Sequence, residues 1–285
     1  MTNNKTVKIG VFIPFECQLL DMACIDVFAM MSKEYLGGLP MLPKHISALA
    51  PSVSIFYITA PAAAGTETAE PRPPNLLQLT AGVKMQATHD ILHPDVQPGR
   101  LDVLLVPGPD PDASWGEDVL GFLKDHAEQR EVTDVLSVCT GVFLCGAAGV
   151  LEGRMVCGPR GLQDMLRKRF PGAEFVGEKY RWFQDGNFWS CESTPAWSQC
   201  RDGRAVADLT TGGITNGNDL VAAYARGSRK HFPAAIAEIG CQLADVGDRP
   251  QLYEQGQTKF FLGFVWQIVK AWFGEPSKDT EKKDI

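Results

Sequence analysis

Cys139 closes the apolar run Leu136-Ser137-Val138 and is followed at once by Thr140, Gly141 and a small-residue stretch reaching Gly149. A strand that breaks sharply into a helix projects its turn residue from the carboxyl edge of a sheet, with the helix's first unpaired N–H groups near the side chain. A thiol in that place is favoured as the thiolate, its nucleophilic form. The competing reading is a small buried hydrophobe, since free cysteine is among the residue types most often buried. Asp21 is the second candidate. It opens a helical pattern, where a carboxylate commonly caps the helix or complements its dipole. Its neighbours Leu19, Leu20, Met22 and Ala23 are apolar, and desolvation beside a thiolate would keep the carboxyl protonated and able to donate a proton. The residues alone leave both roles open.

These side chains need a scaffold, and the pattern supplies an α/β one. Val7 to Pro14 reads as a buried first strand, and Leu20 to Tyr35 carries apolar residues at helical spacing. Val53 to Thr59 is a second strand, Pro61 to Pro74 an exposed connection, and Leu76 to Ile91 an amphipathic stretch. Leu101 to Val106 is a continuous apolar strand ending at Pro107-Gly108-Pro109, and the helix Gly116 to Arg130 leads into the Cys139 strand. Gly158 to Phe170 is a further helix, and Tyr180 to Trp189 a hairpin turning at Asp185-Gly186. The loop Thr211 to Gly217 opens the helix Asn218 to Arg229; it lacks the Walker lysine and the GxGxxG spacing, which argues against a phosphate cradle. Alternating strands and helices predict a doubly wound, mostly parallel sheet.

The 285 residues, 45% of them apolar, suffice for a sizeable core. A net charge of -7 and a pI near 5.3 argue against a nucleic-acid partner, because no segment clusters Lys and Arg. No signal-peptide core and no run of transmembrane length is visible, so a cytoplasmic protein without a membrane partner is expected. The eight cysteines lack C-x-x-C pairs or a His/Cys ligand cluster, so free thiols and no metal are expected.

Together these landmarks resemble the ThiJ/PfpI family, the glutamine-amidotransferase-like group. The likeness spans about residues 7 to 245. It rests on Leu20-Asp21, Leu101 to Gly108, Ser137 to Gly141 with Ala147 to Gly153, and Gly212-Gly213-Ile214-Thr215. Cys-Thr after the strand, and an Asp near the first one, look most similar to the isonitrile (isocyanide) hydratases. The resemblance implies a flavodoxin-like three-layer sandwich with Cys139 as nucleophile, Asp21 as proton donor and Thr140 supplying a backbone donor. Gly108, Asp110 and Gly213 would line the substrate site. The implied reaction adds water to an isonitrile, giving an N-substituted formamide through a Cys139 thioimidate, without metal or organic cofactor. Isonitrile secondary metabolism is the implied setting. The alternative is a non-catalytic redox or stress sensor using reversible oxidation of Cys139. The chain departs from the family pattern in several places. Thr140 directly follows the thiol, and none of the five histidines is placed by the motif. Val156-Cys157-Gly158-Pro159 stands where the branch has Thr-Thr-His-Trp, and Pro109, with no N–H, stands where it has glycine.

Two segments stand apart from a domain over residues 1–250. Cys191 to Thr210 intervenes before the Gly-Gly-Ile-Thr loop and shows neither helical nor strand period; it reads either as a retained intron or as a lid with Trp197 closing the pocket. Residues 251–285 predict an amphipathic helix followed by a charged tail. Its apolar stripe of Phe260, Phe261, Phe264, Val265, Ile268, Val269 and Trp272 could pack on the domain or on a second copy, as in a homodimer.

Overall fold

The strongest apolar runs form strands buried on both faces, the pattern of a parallel sheet covered by helices on either side. The computed structural model describes residues 5–61, 75–192, 215–228 and 230–254, together with 262, 265, 266 and 269. In chain order the strands are β1 (Thr6–Phe12), β2 (Glu16–Cys17), β3 (Ser52–Thr59), β4 (Leu76–Leu79), β5 (Lys84–Gln86), β6 (His89–Asp90), β7 (Val103–Val106), β8 (Asp134–Val138), β9 (Met155–Val156), β10 (Glu174–Phe175), β11 (Trp182–Asp185) and β12 (Phe188–Cys191). The helices are α1 (Leu19–Ala23), α2 (Ile25–Met30), α3 (Lys33–Gly37), α4 (Lys44–Ser47), α5 (Glu117–Glu128), α6 (Gly141–Ala147), α7 (Gln163–Arg169), α8 (Asn216–Ser228) and α9 (Ala234–Ala244).

Seven strands make the central sheet in the order β11-β12-β8-β7-β1-β3-β6, parallel throughout except for the β11–β12 hairpin. The hairpin turns at Asp185-Gly186, where Gly186 takes a φ of 61°, a region open to glycine at little cost. Alternation along β7 sends Val103 and Leu105 into one core with Phe28, Leu220 and Tyr224, and Leu104 and Val106 into the other with Phe122, Phe143 and Leu144. The result is a mostly parallel sheet with helices around it, the flavodoxin-like arrangement expected.

Three local differences have physical causes. The helix expected over Leu20 to Tyr35 is three short ones. The Cys24 thiol donates to the Asp21 carbonyl at 3.2 Å at the first break, and Ser32 Oγ accepts the Tyr35 N–H at 3.1 Å to start α3 as a capping residue. The amphipathic stretch Leu76 to Ile91 forms β4, β5 and β6, with the β4–β5 pair joined by a turn holding Ala81 at φ 61°. Helix α9 was not anticipated; its small apolar face packs on α2 and α8. Of the C-terminal stripe, Val265 and Val269 are helical and half-buried, and the other members lie outside the described residues. Most of the Pro61 to Pro74 connection and of the Cys191 to Thr210 segment also lies outside them; Cys191 itself ends β12, and the Glu192 N–H extends the hairpin by donating to the Arg181 carbonyl at 2.9 Å.

Candidate functional site

The carboxyl ends of β1, β7 and β8 meet where the strand order reverses, the place at which doubly wound sheets build their sites. Cys139 follows β8 directly and holds φ 58°, the left-handed conformation that costs an L residue other than glycine. The turn is forced because α6 begins two residues later, hard against β7. A Cβ on Gly141 would stand 2.3 Å from the Val106 carbonyl oxygen, so only glycine allows this approach. The strained strand-to-helix turn expected from the sequence is therefore present.

Asp21 reaches the same place from α1, fully buried, with Oδ2 accepting the Gly108 N–H at 3.3 Å. The Thr140 hydroxyl donates to the Pro109 carbonyl at 2.7 Å and ties the loop after β7 to the elbow. Gly108 lies between these groups: a Cβ there would sit 2.5 Å from Asp21 Oδ2, 2.4 Å from Thr140 Oγ1 and 3.1 Å from the Thr140 amide nitrogen. Asp21, Gly108 and Thr140 thus share one small space beside Cys139. The Gly108 amide, expected as a substrate donor, is directed at Asp21. Asp110 makes a local turn, its Oδ1 accepting the Asp112 N–H at 2.9 Å. Gly213 lies outside the described residues. In one respect the turn differs from expectation. A projecting, reachable thiol was expected, whereas Cys139 has 0% exposed surface and packs among Val138, Cys191 and the residues of the α2–α8 core.

Three further thiols surround Asp21. Burial pushes Cys17, Cys24 and Cys191 well above the ordinary thiol range, and the neighbouring Asp21 carboxyl adds to the effect in each. They are held as neutral thiols. Their sequence signal was weak: Cys24 stands one helical turn after Asp21, whereas Cys191 reaches the elbow only through its register with Val138.

A second cluster lies beside the first and was not foreseen. Glu192 is fully buried one residue beyond Cys191, so the register that pairs Cys191 with Val138 sets it level with the elbow. Its carboxyl accepts the Arg160 N–H at 3.3 Å, the Asn216 side-chain amide at 3.1 Å and the Tyr253 hydroxyl. The Tyr253 ring carries the Arg160 and Arg181 guanidiniums at 4.0 and 4.2 Å from its centroid. Burial lifts the Glu192 pKa to about 8, although its hydrogen bonds and the nearby Arg160 and Arg181 charges oppose the rise. Among the described residues, neither cluster has metal-ligand spacing; the group that does, His89, His93 and Asp95, lies at the far edge of the sheet.

A fully buried carboxyl against a cysteine elbow, at the switch point of a doubly wound sheet, marks the candidate site of this α/β sandwich. Residues 60–199 match the DJ-1/PfpI family, and the chain carries a DJ-1/PfpI family domain. Solved structures with the same fold include an AraC family transcriptional regulator from Pseudomonas putida, with TM-score 0.56 and 12% identity over 84% of this chain and 99% of that one. A mutant of a DJ-1 superfamily protein from Salmonella typhimurium gives TM-score 0.55 at 13% identity, covering 84% and 98%. A ThiJ/PfpI family protein from Pseudomonas syringae gives TM-score 0.53 at 13% identity, covering 94% and 87%. Among curated proteins, no sequence matches this chain. At such identities the likeness is one of fold, and the chemistry has to be argued from the site.

Proposed function

We propose that the chain is an isonitrile hydratase-like enzyme, with Cys139 as nucleophile and Asp21 as proton donor. The observation that supports this reading is the placement of the buried Asp21 carboxyl beside the elbow, against Gly108 and Thr140. The terminal carbon of an isonitrile must gain one proton and one bond to a nucleophile before water can add. The Cys139 sulfur forms a bond to that carbon, Asp21 delivers a proton to it, and a thioimidate results. Water then adds, one of its protons going to the nitrogen and the other back to Asp21, the carbon–sulfur bond breaks, and an N-substituted formamide leaves as the thiolate is restored. The Thr140 amide supplies a donor next to the reacting centre. Because the sulfur is covered, the loops at the carboxyl edge must part to admit the substrate.

The reading includes a small-molecule substrate from isonitrile secondary metabolism, cytoplasmic location, no nucleic-acid or membrane partner, and assembly as a homodimer. Among the described residues, no helix is long and apolar enough to cross a membrane. A second reading is a sensor in which Cys139 oxidises reversibly, supported by the Cys191 thiol that bonds the Cys139 backbone and stands beside the elbow. One experiment separates the two. The full chain is supplied with a simple isonitrile and formamide is measured, with Cys139→Ala and Asp21→Asn as controls. Formamide that disappears with Cys139→Ala supports the hydratase. Absence of turnover, together with peroxide-dependent sulfenic acid at Cys139, supports the sensor.

A further inference from the structure

At the far edge of the sheet, β6 ends in His89 and Asp90, and one turn later the chain presents His93 and Asp95 around a short 3-10 helix, Pro94–Val96. The two imidazoles pack edge to face with centroids 4.3 Å apart. His93 Nδ1 accepts the Asp95 N–H at 3.2 Å and lies 3.8 Å from Asp95 Oδ2. One ligand atom from each of His89, His93 and Asp95 lies within 4.8 Å of the other two.

The hydrogen bonds also set which nitrogen is open. The Thr88 hydroxyl is anchored on the Tyr57 backbone, lying 3.2 Å from its carbonyl oxygen and accepting its N–H at 2.9 Å. It also lies 2.8 Å from His89 Nδ1 and engages that nitrogen, leaving Nε2 as the ring atom to meet an ion. A backbone-anchored hydroxyl that holds the ring in place is the outer-sphere support metal-binding histidines use. The ring is further seated edge-on against Phe56 of β3, with centroids 5.0 Å apart.

We infer that His89, His93 and Asp95 form a binding site for a first-row divalent transition ion, with Zn2+ the best-suited candidate. Two imidazoles and one carboxylate are a borderline-soft set suited to Zn2+, Ni2+ or Cu2+, whereas Mg2+ and Ca2+ prefer all-oxygen shells. A tetrahedral ion at about 2.0–2.1 Å from each ligand draws them to roughly 3.3 Å of one another. The exposed His93 and Asp95 side chains can close that gap. With three protein ligands, a tetrahedral ion would have a fourth position left for water. Such an ion would clip the edge strand to the turn that follows it, which is independent of the chemistry assigned to Cys139.

The test uses the full, reduced chain titrated with Zn2+ by calorimetry, and with Co2+ as a spectroscopic stand-in. Expected are one ion per chain, a tetrahedral cobalt spectrum without sulfur-to-metal charge transfer, and an affinity at least about tenfold weaker in Asp95→Asn and in His93→Gln. The double variant His89→Gln/His93→Gln, whose fold is checked by circular dichroism, should lose the site. Absence of stoichiometric binding overturns the inference. So does binding that survives in the double variant, or a thiolate charge-transfer band, either of which would place the ion on the cysteines.

Discussion

Cys139 illustrates how much one residue can carry in this fold. Its φ of 58° is tolerated by glycine and strained for cysteine, so Cys139→Gly should be more stable than Cys139→Ala by about 1 kcal/mol, read from paired urea midpoints. Equal stability of the two variants would mean that the turn stores no strain. Glu192 makes a different residue-scale prediction. Its pKa is about 8 in the folded chain against an ordinary 4.5. Between those values the unfolded chain has released its proton while the folded one retains it, so stability falls as pH rises through this window and levels off above it. Glu192→Gln keeps the hydrogen-bonding shape without titrating. It should flatten that slope in chemical denaturation curves taken across the interval. A slope unchanged by the substitution would assign the titration to another group.

At the scale of elements, the glycines at the elbow decide whether strand, loop and helix can meet. Gly141→Ala presses a methyl group into the Val106 carbonyl oxygen and should cost about 1–3 kcal/mol, seen as a lowered unfolding midpoint. Gly108→Ala pushes instead on Asp21 and Thr140. Under the hydratase reading it should lower turnover by roughly a hundredfold through misplacement of the acid, with a smaller effect on the fold. The elbow was legible in the sequence because a buried strand, a thiol and a small-residue helix follow one another without a gap. The break between α1 and α2 was not, because it depends on a thiol bonding a carbonyl one turn back, which leaves the apolar spacing intact. Glu192 was invisible for a related reason. It stands at the start of a stretch without period, and its partners Arg160, Asn216 and Tyr253 are brought together only by the folded chain. The thiols of Cys24 and Cys191 likewise reach Asp21 by helix turn and strand register respectively.

Across the whole molecule, the two ends of the sheet do different work. The carboxyl end carries strain, buried carboxyls and thiols, whereas the amino end is stapled by polar contacts. At the start of β8, Asp134 accepts the Tyr224 hydroxyl of α8 at 2.8 Å and has Lys230 and His231 at 3.6 and 3.7 Å. His231 also lies 3.6 Å from Asp102 at the foot of β7. Tyr224→Phe should cost roughly 1.5–3 kcal/mol, as expected for losing a hydrogen bond to a buried carboxylate, and should leave chemistry at the opposite end unchanged. A fall in turnover as large as the fall in stability would show instead that the two ends are coupled.

The covered sulfur of Cys139 also has a kinetic consequence. A thiol-directed reagent can meet it only during brief excursions of the chain, so the modification rate should climb with reagent concentration and then reach a plateau equal to the frequency of those excursions. That ceiling would measure how often the doorway opens, and under the hydratase reading the substrate must pass at the same tempo.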